Sequence, residues 1–548
     1  MSKIPTRGAL PANGALSARS ALPTRGAYDA VVIGGGVNGL TCAAMLGKAG
    51  VRTLLVEQRD EVGGCAAESE LAPGFRVPTL AHATAPVRRD VVEHLQLYLH
   101  GLAFRDTAIE MSSLSPDGRA LTLWNDTART AEGLAAWSAR DAQAWPAFHL
   151  SLGRLGGLIG SLFQSAPPSI DAPNARDLFS LMGTLSAFRG LPKADQWRLL
   201  RWGPMAVADL VSESVENEQL RATLAADGIF GAMLGPWSAG SGLQLLLAAA
   251  NRSLAWPGGT VVTGGPVAFA RALRRAAERH GVAIRTSAGV QRIDVSAERA
   301  AGVTLTTGEH IAARAVVSGV DPKRTFLSLC EADHLPPEFS WRIKHYRSRG
   351  TLAKVNFALS SLPAFTGAGR EMLAGRVRLA PDLDYLERAF DHAKYGRYSS
   401  HPWIEFTIPS IDDPSLAPDG AHVLSAYAQF APYQLRDSDW DAERDRFGDL
   451  VAATFEQYAP GFSSTVVAQQ VLTPLDLERG WGLSGGQIFH GELSLDQFFA
   501  MRPLLGFGDH RTPIRGLFLC SSGSHPGTGL TGGSGANAAA VVLREVET

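Results

Sequence analysis

The segment YDAVVIGGGVNGLTCAAMLGKAGVRTLLVE, residues 28–57, decides the fold of this chain of 548 residues. An apolar run, a glycine turn, a helical stretch and a second apolar run follow one another in it, which is the order of a βαβ unit. The helix N-terminus of such a unit offers unpaired N–H groups and a partial positive charge to phosphate groups. The segment therefore predicts a Rossmann domain of the α/β class that binds a dinucleotide.

The glycine turn GGGVNG contains positions with separate roles. Gly34 permits the tight turn, Gly36 lets the backbone approach a pyrophosphate, and Gly39 lets the helix pack closely on the strand. Val37 and Asn38 begin the helix beside the phosphates, so we expect all five residues to contact the cofactor.

Glu57 ends the second apolar run, where a carboxylate can accept hydrogen bonds from both ribose hydroxyls of an adenosine. Taken alone, this unit is compatible with NAD or FAD. The following residues, EQRDEVGG, place Gly63 and Gly64 where a second backbone loop can pass close to the cofactor. NAD domains do not usually need this loop, so the glycine pair favours FAD.

A second glycine-rich segment, GLFLCSSGSHPGTGLTGGSGANAAA, spans residues 516–540. Its pattern predicts a strand, a loop without side chains that can approach the flavin, and a helix over residues 533–546. Residues 537–540 lie in the starting part of this helix, whose N-terminus can face the electron-rich edge of the ring. The predicted cofactor contacts in this loop are Gly527, Gly529, Leu530, Gly532 and Gly533.

These motifs resemble those of known flavoproteins. Glu57 with the Gly63–Gly64 pair is similar to the extended fingerprint of the glutathione-reductase-type and amine-oxidase-type flavoproteins, and residues 516–540 are similar to the closing FAD motif of the phytoene desaturase-like family. One departure is Cys65, which follows the glycine pair where an arginine is common. A flavin-proximal role for that arginine is therefore not carried over.

Three further stretches resemble one branch of that family, the pyridine nucleotide-disulfide oxidoreductase domain-containing protein 2 group: residues 255–265, 405–433 and 485–503. The resemblance extends from about Tyr28 to the end of the chain. It implies an FAD-dependent oxidoreductase in which the Rossmann domain is interleaved with a mixed sheet-and-helix substrate domain.

The periodicity of the chain predicts how the two domains alternate. We expect a disordered leader, three segments of the FAD-binding domain and two segments of the substrate domain, with the ligand pocket between the domains. The leader is 1–27, the FAD-binding segments are 28–105, 255–324 and 476–548, and the substrate segments are 106–254, which is mostly helical, and 325–475.

Composition excludes some functions. A net charge of −2 and a pI near 6.7 provide no basic field for nucleic acid. The four cysteines are scattered without a CxxC spacing, which argues against a disulfide reductase and a zinc site and favours reduced thiols in the cytoplasm. The acid-poor leader leaves a mitochondrial transit peptide as an alternative, and a peripheral membrane location is another.

Residues 228–251 are uncharged but interrupted by Gly, Pro, Ser and Gln, so a buried or cavity-lining segment is favoured over a membrane span, with a shallow membrane contact as the alternative. Several apolar residues in and beyond this stretch could line a cavity for a bulky substrate. They are Trp237, Leu243, Leu245, Leu246, Leu247 and Trp256.

Candidate catalytic groups are few. His525, in the C-terminal glycine segment, could orient substrate or shuttle a proton, and a loop histidine bonded to backbone is the alternative. His82 could also lie near the ring or be a buried structural histidine. The pair Asp412–Asp413 is followed by a proline and favours a turn. Arg502 could pair with a carboxylate or lie at the flavin edge.

The predicted function is that of a dehydrogenase, desaturase or oxidase that transfers a hydride from a hydrophobic or amine-containing small molecule to N5 of FAD. This chemistry needs few protein acids and bases because the cofactor supplies the reactivity. The alternatives are a redox-neutral isomerase of polyenes and a non-catalytic binding protein on the same fold.

Overall fold

The structure of the chain is a computed structural model that describes residues 28–83, 86–168, 175–256 and 259–546. The predicted leader, 1–27, lies outside the described residues.

The described residues form eighteen β-strands and eighteen α-helices. The strands are β1 (Tyr28–Ile33), β2 (Thr53–Val56), β3 (Glu68–Ala72), β4 (Phe75–Pro78), β5 (Phe104–Asp106), β6 (Ile109–Leu114), β7 (Ala120–Trp124), β8 (Thr260–Val262), β9 (Ala283–Arg285), β10 (Val290–Ser296), β11 (Arg299–Leu305), β12 (His310–Ser318), β13 (Leu352–Leu359), β14 (Val377–Leu379), β15 (Trp403–Thr407), β16 (His422–Gln429), β17 (Val466–Leu472) and β18 (Leu517–Leu519). The helices are α1 (Val37–Lys48), α2 (Arg89–Leu95), α3 (Thr127–Ala135), α4 (Ala139–Phe163), α5 (Ala175–Gly190), α6 (Lys193–Trp202), α7 (Val207–Ser214), α8 (Glu218–Asp227), α9 (Ser241–Leu254), α10 (Gly265–Arg279), α11 (Pro322–Arg324), α12 (Pro337–His345), α13 (Arg370–Leu373), α14 (Leu383–Lys394), α15 (Trp440–Tyr458), α16 (Phe462–Thr465), α17 (Pro474–Trp481) and α18 (Gly533–Val546).

The first large sheet contains the predicted βαβ unit. Strands β12, β1, β2 and β9 are parallel neighbours, β18 runs parallel beside β12, and β10 and β11 extend the sheet antiparallel. Alternate residues of β1 face opposite cores: Ala30 and Val32 pack with α1, α10 and α18, whereas Val31 and Ile33 pack on the other face. Both faces are covered, as a parallel sheet requires.

The second large sheet has the strand order β17-β13-β16-β15-β14-β6-β7 and is antiparallel except for the pair β14–β6. One face forms a core with α15, to which β13 contributes Val355 and Phe357 and α15 contributes Phe455. Because side chains alternate along a strand, Lys354 and Asn356 of β13 face the opposite side.

The two sheets are built from interleaved parts of the chain. The first takes its strands from residues 28–56, 283–318 and 517–519, and the second takes its strands from residues 109–124 and 352–472. The α/β class and the Rossmann unit are confirmed. The residue bounds of the domain segments stay a prediction, because strand pairing does not define where a domain ends.

Among the described residues, no α-helix combines the length and the apolar character needed to cross a bilayer. The uncharged stretch 228–251 is divided between turns and the first part of α9. The cytoplasmic location stays a prediction.

Arg502 connects the loops before and after β18 through hydrogen bonds. Its guanidinium is fully buried and donates hydrogen bonds only to backbone carbonyl oxygens, which belong to residues 489, 491, 492, 497 and 522. Among the described residues its partners are therefore carbonyl oxygens and not a carboxylate, which was one of the two alternatives predicted from the sequence. Its contacts show that it holds the backbone of residues 489–497 against the end of β18.

Replacing Arg502 with Met should destabilise the fold, since several buried carbonyl groups lose their donor at once. We expect the free energy of unfolding to fall by about 3 kcal/mol or more. Thermal unfolding of Arg502→Met measures this. The matched control is Arg446→Met, because Arg446 is an exposed arginine paired with Glu443 on α15 and should change stability by about 0.5 kcal/mol or less. Equal shifts in the two variants would contradict the role assigned to Arg502.

Candidate active site

The glycine turn between β1 and α1 binds the carboxylate of Glu57 directly. The backbone N–H of Gly35 donates to Glu57 Oε2 at 2.6 Å, and the N–H of Arg59 donates to Oε1 at 2.9 Å. A Cβ atom on Gly35 would lie 2.7 Å from the Val62 side chain, so this position also requires glycine. The sequence analysis missed Gly35. Both carboxylate oxygens keep lone pairs that can accept from ribose hydroxyls.

Gly36 borders open space. A Cβ atom there would meet no protein atom within 4 Å, although Gly36 lines the cavity beside the turn. The same atom on Gly39 would overlap the carbonyl oxygen of Gly34. The turn thus has one glycine required by helix–strand packing and another whose missing side chain leaves room for a ligand, as a pyrophosphate needs.

The Gly63–Gly64 loop lies against this turn. The N–H of Gly63 donates to the carbonyl oxygen of Gly35 at 2.8 Å, and a Cβ atom on Gly64 would lie 3.0 Å from the Cα of Gly36. Gly64 lines the cavity, whereas Gly63 lies outside the cavity wall and stabilises the turn through its hydrogen bond to Gly35.

The C-terminal glycine segment reaches the same place from the other end of the chain. Asn38 Nδ2 donates to Ser522 Oγ at 3.0 Å, and a Cβ atom on Gly535 would overlap the carbonyl oxygen of Asn38. Helix α18 spans Gly533–Val546, which confirms the helix predicted over residues 533–546. The small residues of its first turn pack on α1.

The predicted cofactor residues divide into two groups. The first group lines the cavity: Gly34, Gly36, Val37, Asn38, Gly39, Glu57, Gly64, Gly529 and Leu530. The second group packs against protein atoms: Gly63 near Ala66 and Ala270, Gly527 on Arg502, Gly532 on Thr41 and Val91, and Gly533 on Arg88. Their contact with a cofactor stays a prediction.

A single cavity of about 1220 Å³ extends from the glycine turn to the second sheet. Its wall at the second sheet includes His82, Lys354 and Tyr427, together with Phe230 and Phe489. The ring of Phe230 lies 5.5 Å from that of Tyr427 and 6.3 Å from that of Phe489, so three aromatic rings form a continuous surface.

The predicted apolar wall is only partly correct. Leu247 and Trp256 line the cavity, whereas Leu243, Leu245 and Leu246 belong to the helical core and Trp237 is exposed. The reason is the rotation of α9, whose cavity face repeats with helical spacing. That face includes Gln244, Leu247, Ala248 and Asn251, and the last three residues of α9, 252–254, line the cavity as well.

A row of polar residues crosses the cavity face of the second sheet. In the strand register, Lys354 of β13 is opposite Tyr427 of β16, Tyr427 is opposite Glu405 of β15, and Glu405 is opposite Arg378 of β14. All four side chains are largely buried or fully so. This row was not predicted from the sequence. The one feature of the sequence that indicates it is a lysine inside the apolar run LAKVNFAL.

His82 packs against three residues of this row. Its ring is 4.2 Å from the ring of Tyr427, its Nδ1 is 2.9 Å from Lys354 Nζ, and its Nε2 is 3.7 Å from Glu405 Oε1. When Nδ1 accepts a hydrogen bond from Lys354, the ring proton is on Nε2 and faces the Glu405 carboxylate. Of the two histidines considered from the sequence, His82 is the one that lines the cavity.

The protonation states of this cluster follow from burial and neighbouring charges. Burial lowers the pKa of Lys354 well below its usual value, and burial together with the Lys354 charge lowers the pKa of His82 to about 3. Burial alone would raise the pKa of Glu405, but Arg376 and Arg378 hold it well below its usual range. The cluster therefore contains a neutral imidazole, a carboxylate and an amine whose neutral form is favoured.

His525 occupies a different environment. It is fully buried, its Nε2 lies 2.9 Å from the carbonyl oxygen of Leu162, and its ring packs edge-on against Phe163 and Phe499. It is not part of the cavity wall. These contacts are those of a structural histidine and count against the catalytic interpretation.

Asp412 and Asp413 border the cavity but do not act as a pair. Asp412 forms an ion pair with Arg105, whereas Asp413 accepts hydrogen bonds from the N–H and hydroxyl of Ser415. The latter is the turn predicted from the proline at position 414.

All four cysteines are free thiols, yet two of them are neighbours in space. Cys42 of α1 lies beside Cys520, which follows β18, and a hydrogen bond between them together with burial raises the pKa of Cys42 well above its usual value. Both are buried in the core under the first sheet. The pair is therefore closed to a substrate disulfide.

Comparison with known proteins places the chain in a family. Residues 32–96 match the model of the NAD(P)-binding Rossmann-like domain, and residues 225–543 match that of the flavin containing amine oxidoreductases. An oxidoreductase structure from Methanosarcina mazei superimposes with a TM-score of 0.59 over 94% of this chain and 99% of its own, at 15% identity, which supports the fold.

Two curated relatives match over nearly the whole chain. Pyridine nucleotide-disulfide oxidoreductase domain-containing protein 2 of Rattus norvegicus is 37% identical over 95% of this chain and 94% of its own length. Phytoene desaturase (lycopene-forming) of Pantoea ananas is 25% identical over 94% of this chain and 99% of its own. The resemblance predicted from the motifs is confirmed. The chain belongs to the family of flavin-containing amine oxidoreductases and is an FAD-dependent oxidoreductase.

Proposed function

We propose that the protein oxidises a bulky, largely apolar small molecule by removal of a hydride and a proton, with Lys354 as the proton acceptor. The observation that carries this proposal is the Lys354–His82–Glu405 cluster in the cavity that begins at the glycine turn. When bound, FAD supplies the two-electron acceptor.

The surroundings of Lys354 suit an amine that accepts a proton. Its burial favours the neutral form before the proton arrives. Glu405 is negatively charged and raises the pKa of Lys354, so it stabilises the ammonium ion afterwards. His82 accepts a hydrogen bond from Nζ of Lys354 and fixes its position, and the ring of Tyr427, whose centroid is 4.5 Å from Nζ, excludes water from that side.

The cavity wall favours a substrate without a net charge. Phe230, Tyr427 and Phe489 offer aromatic faces. Three of the six arginines that line the cavity pair with these carboxylates: Arg376 with Glu405, Arg252 with Glu110 and Asp227, and Arg105 with Asp412. The charges of these three arginines are already neutralised by the protein. The similarity to phytoene desaturase, whose named substrate is a hydrocarbon, supports an apolar substrate class.

Gly36→Val should remove the cofactor and leave the fold intact. A Cβ atom at this position meets no protein atom within 4 Å, so the added side chain projects into the space beside the turn, and the φ of −69° at Gly36 is allowed for valine. We expect loss of the flavin absorbance with an unchanged far-ultraviolet circular dichroism spectrum. Gly157→Ala on α4 is the control, because that position is open as well but lies outside the cavity wall. Full flavin content in Gly36→Val would refute the placement of the cofactor.

Lys354→Met should slow reduction of the bound flavin by about 100-fold or more, the usual contribution of a general base. The measurement is anaerobic stopped-flow bleaching with a member of a panel of polyenes, neutral amines and alcohols. In the wild type the rate should rise with pH through the lowered pKa of Lys354, because only the neutral amine accepts a proton, and this limb should disappear in the variant.

His82→Phe and His525→Phe form a matched pair for the same experiment, since both histidines are buried and neutral with pKa values of about 3. Only His82→Phe should slow the reduction. An unchanged pH profile in Lys354→Met, or equal effects of the two histidine changes, would refute the proposed base. Turnover of a polyene without bleaching would identify an isomerase instead.

A further inference from the structure

Exposed apolar side chains are concentrated in one part of the molecule. Seven of the sixteen large apolar residues that are exposed among the described residues belong to α4, α5 and α6, which are consecutive helices. They are Leu150, Phe179, Leu181, Met182, Leu185, Trp197 and Leu200. Trp197 and Phe179 are 71% and 74% exposed, values unusual for aromatic residues of a folded domain. We name the exposed side of α5 and α6 the apolar patch.

Helix α5 presents an apolar side to water. Its exposed large apolar residues, Phe179, Leu181, Met182 and Leu185, fall within one half of the helix circumference. An apolar helix face of this kind is stabilised when it meets an apolar environment. With sixteen residues, α5 is shorter than the length needed to span a bilayer.

The outer face of α6 has the composition of a membrane–water interface. Lys193, Trp197, Leu200 and Arg201 lie at spacings that share one helix face, and all four are exposed. Tryptophan is favoured at the level of lipid headgroups, and basic residues beside it attract anionic lipids.

The charge of this part of the chain is opposite to that of an anionic lipid surface. Residues 175–202 contain five basic and two acidic residues, a net charge of +3, whereas the whole chain has a net charge of −2. The acid Asp195 is buried and paired with Arg154 and Arg198, so it does not oppose the basic residues at the surface. Arg201 pairs with Glu213, and Arg189 and Lys193 are exposed at the junction of the two helices.

We infer that the apolar patch docks the protein on the surface of an anionic lipid bilayer, with α5 and the outer face of α6 inserted at the headgroup level. The headgroup level of an anionic bilayer accepts the apolar side of α5 and matches both the exposed tryptophan of α6 and the positive charge of residues 175–202.

The test is vesicle flotation of the full-length, flavin-loaded protein. The wild type should float with vesicles of phosphatidylcholine mixed with phosphatidylglycerol, and binding should weaken with added salt and with phosphatidylcholine alone. The combined variant Phe179→Ser and Trp197→Ser should bind the mixed vesicles at least about tenfold more weakly, since the transfer of two aromatic side chains is lost. Flavin absorbance and thermal unfolding verify that both proteins are folded.

Trp341→Ser is the matched control, because Trp341 is a tryptophan with 63% exposure on α12, outside the apolar patch. It should bind like the wild type. Absence of vesicle binding, or equal binding by the wild type and the combined variant, would overturn the inference. A wild-type dimer that the combined variant converts to monomer, without vesicle binding, would assign the apolar patch to a protein interface instead.

Discussion

Close contact between three stretches of backbone is the constraint on which the rest of this structure depends. The turn of β1–α1 must hold the Gly39 backbone against the carbonyl oxygen of Gly34, and it must also receive Gly64 at the Cα of Gly36 and Gly535 at the carbonyl oxygen of Asn38. These residues come from both ends of the chain. The two sheets are interleaved as a result, because β1, β12 and β18 meet in the first sheet, whereas the strands of the second sheet come from the residues between β2 and β9 and between β12 and β18.

The cofactor side could be predicted from sequence because its requirements are local. A residue that must lack a side chain can be recognised wherever it occurs, so Gly34, Gly36 and Gly39 identified the turn. The Gly63–Gly64 pair was recognised in the same way. Gly35 could not be recognised from spacing alone, because it is not a position of the GxGxxG pattern and is required only by the approach of Val62 and Glu57.

The substrate side could not be predicted because it depends on register and rotation. Lys354, Tyr427 and Glu405 are far apart in sequence and meet only because three strands pair in one alignment. Leu246 and Leu247 are neighbours in sequence and both belong to the helical core, but only Leu247 also reaches the cavity wall, since helical rotation separates them. Likewise His525 belongs to the more conspicuous motif, yet of these two histidines it is His82 that lines the cavity. A histidine's role is set by its partners, and those come from other elements.

The polar row across β13, β16, β15 and β14 also limits how proteins of this architecture can vary. Adding or deleting one residue within any of these strands would turn every following side chain of that strand to the opposite face of the sheet. A charged side chain would then enter the phenylalanine core beneath α15 while an apolar one replaced it above. Changes of chain length that preserve chemistry are thus confined to the connecting loops, and the four strands can diverge only by substitution.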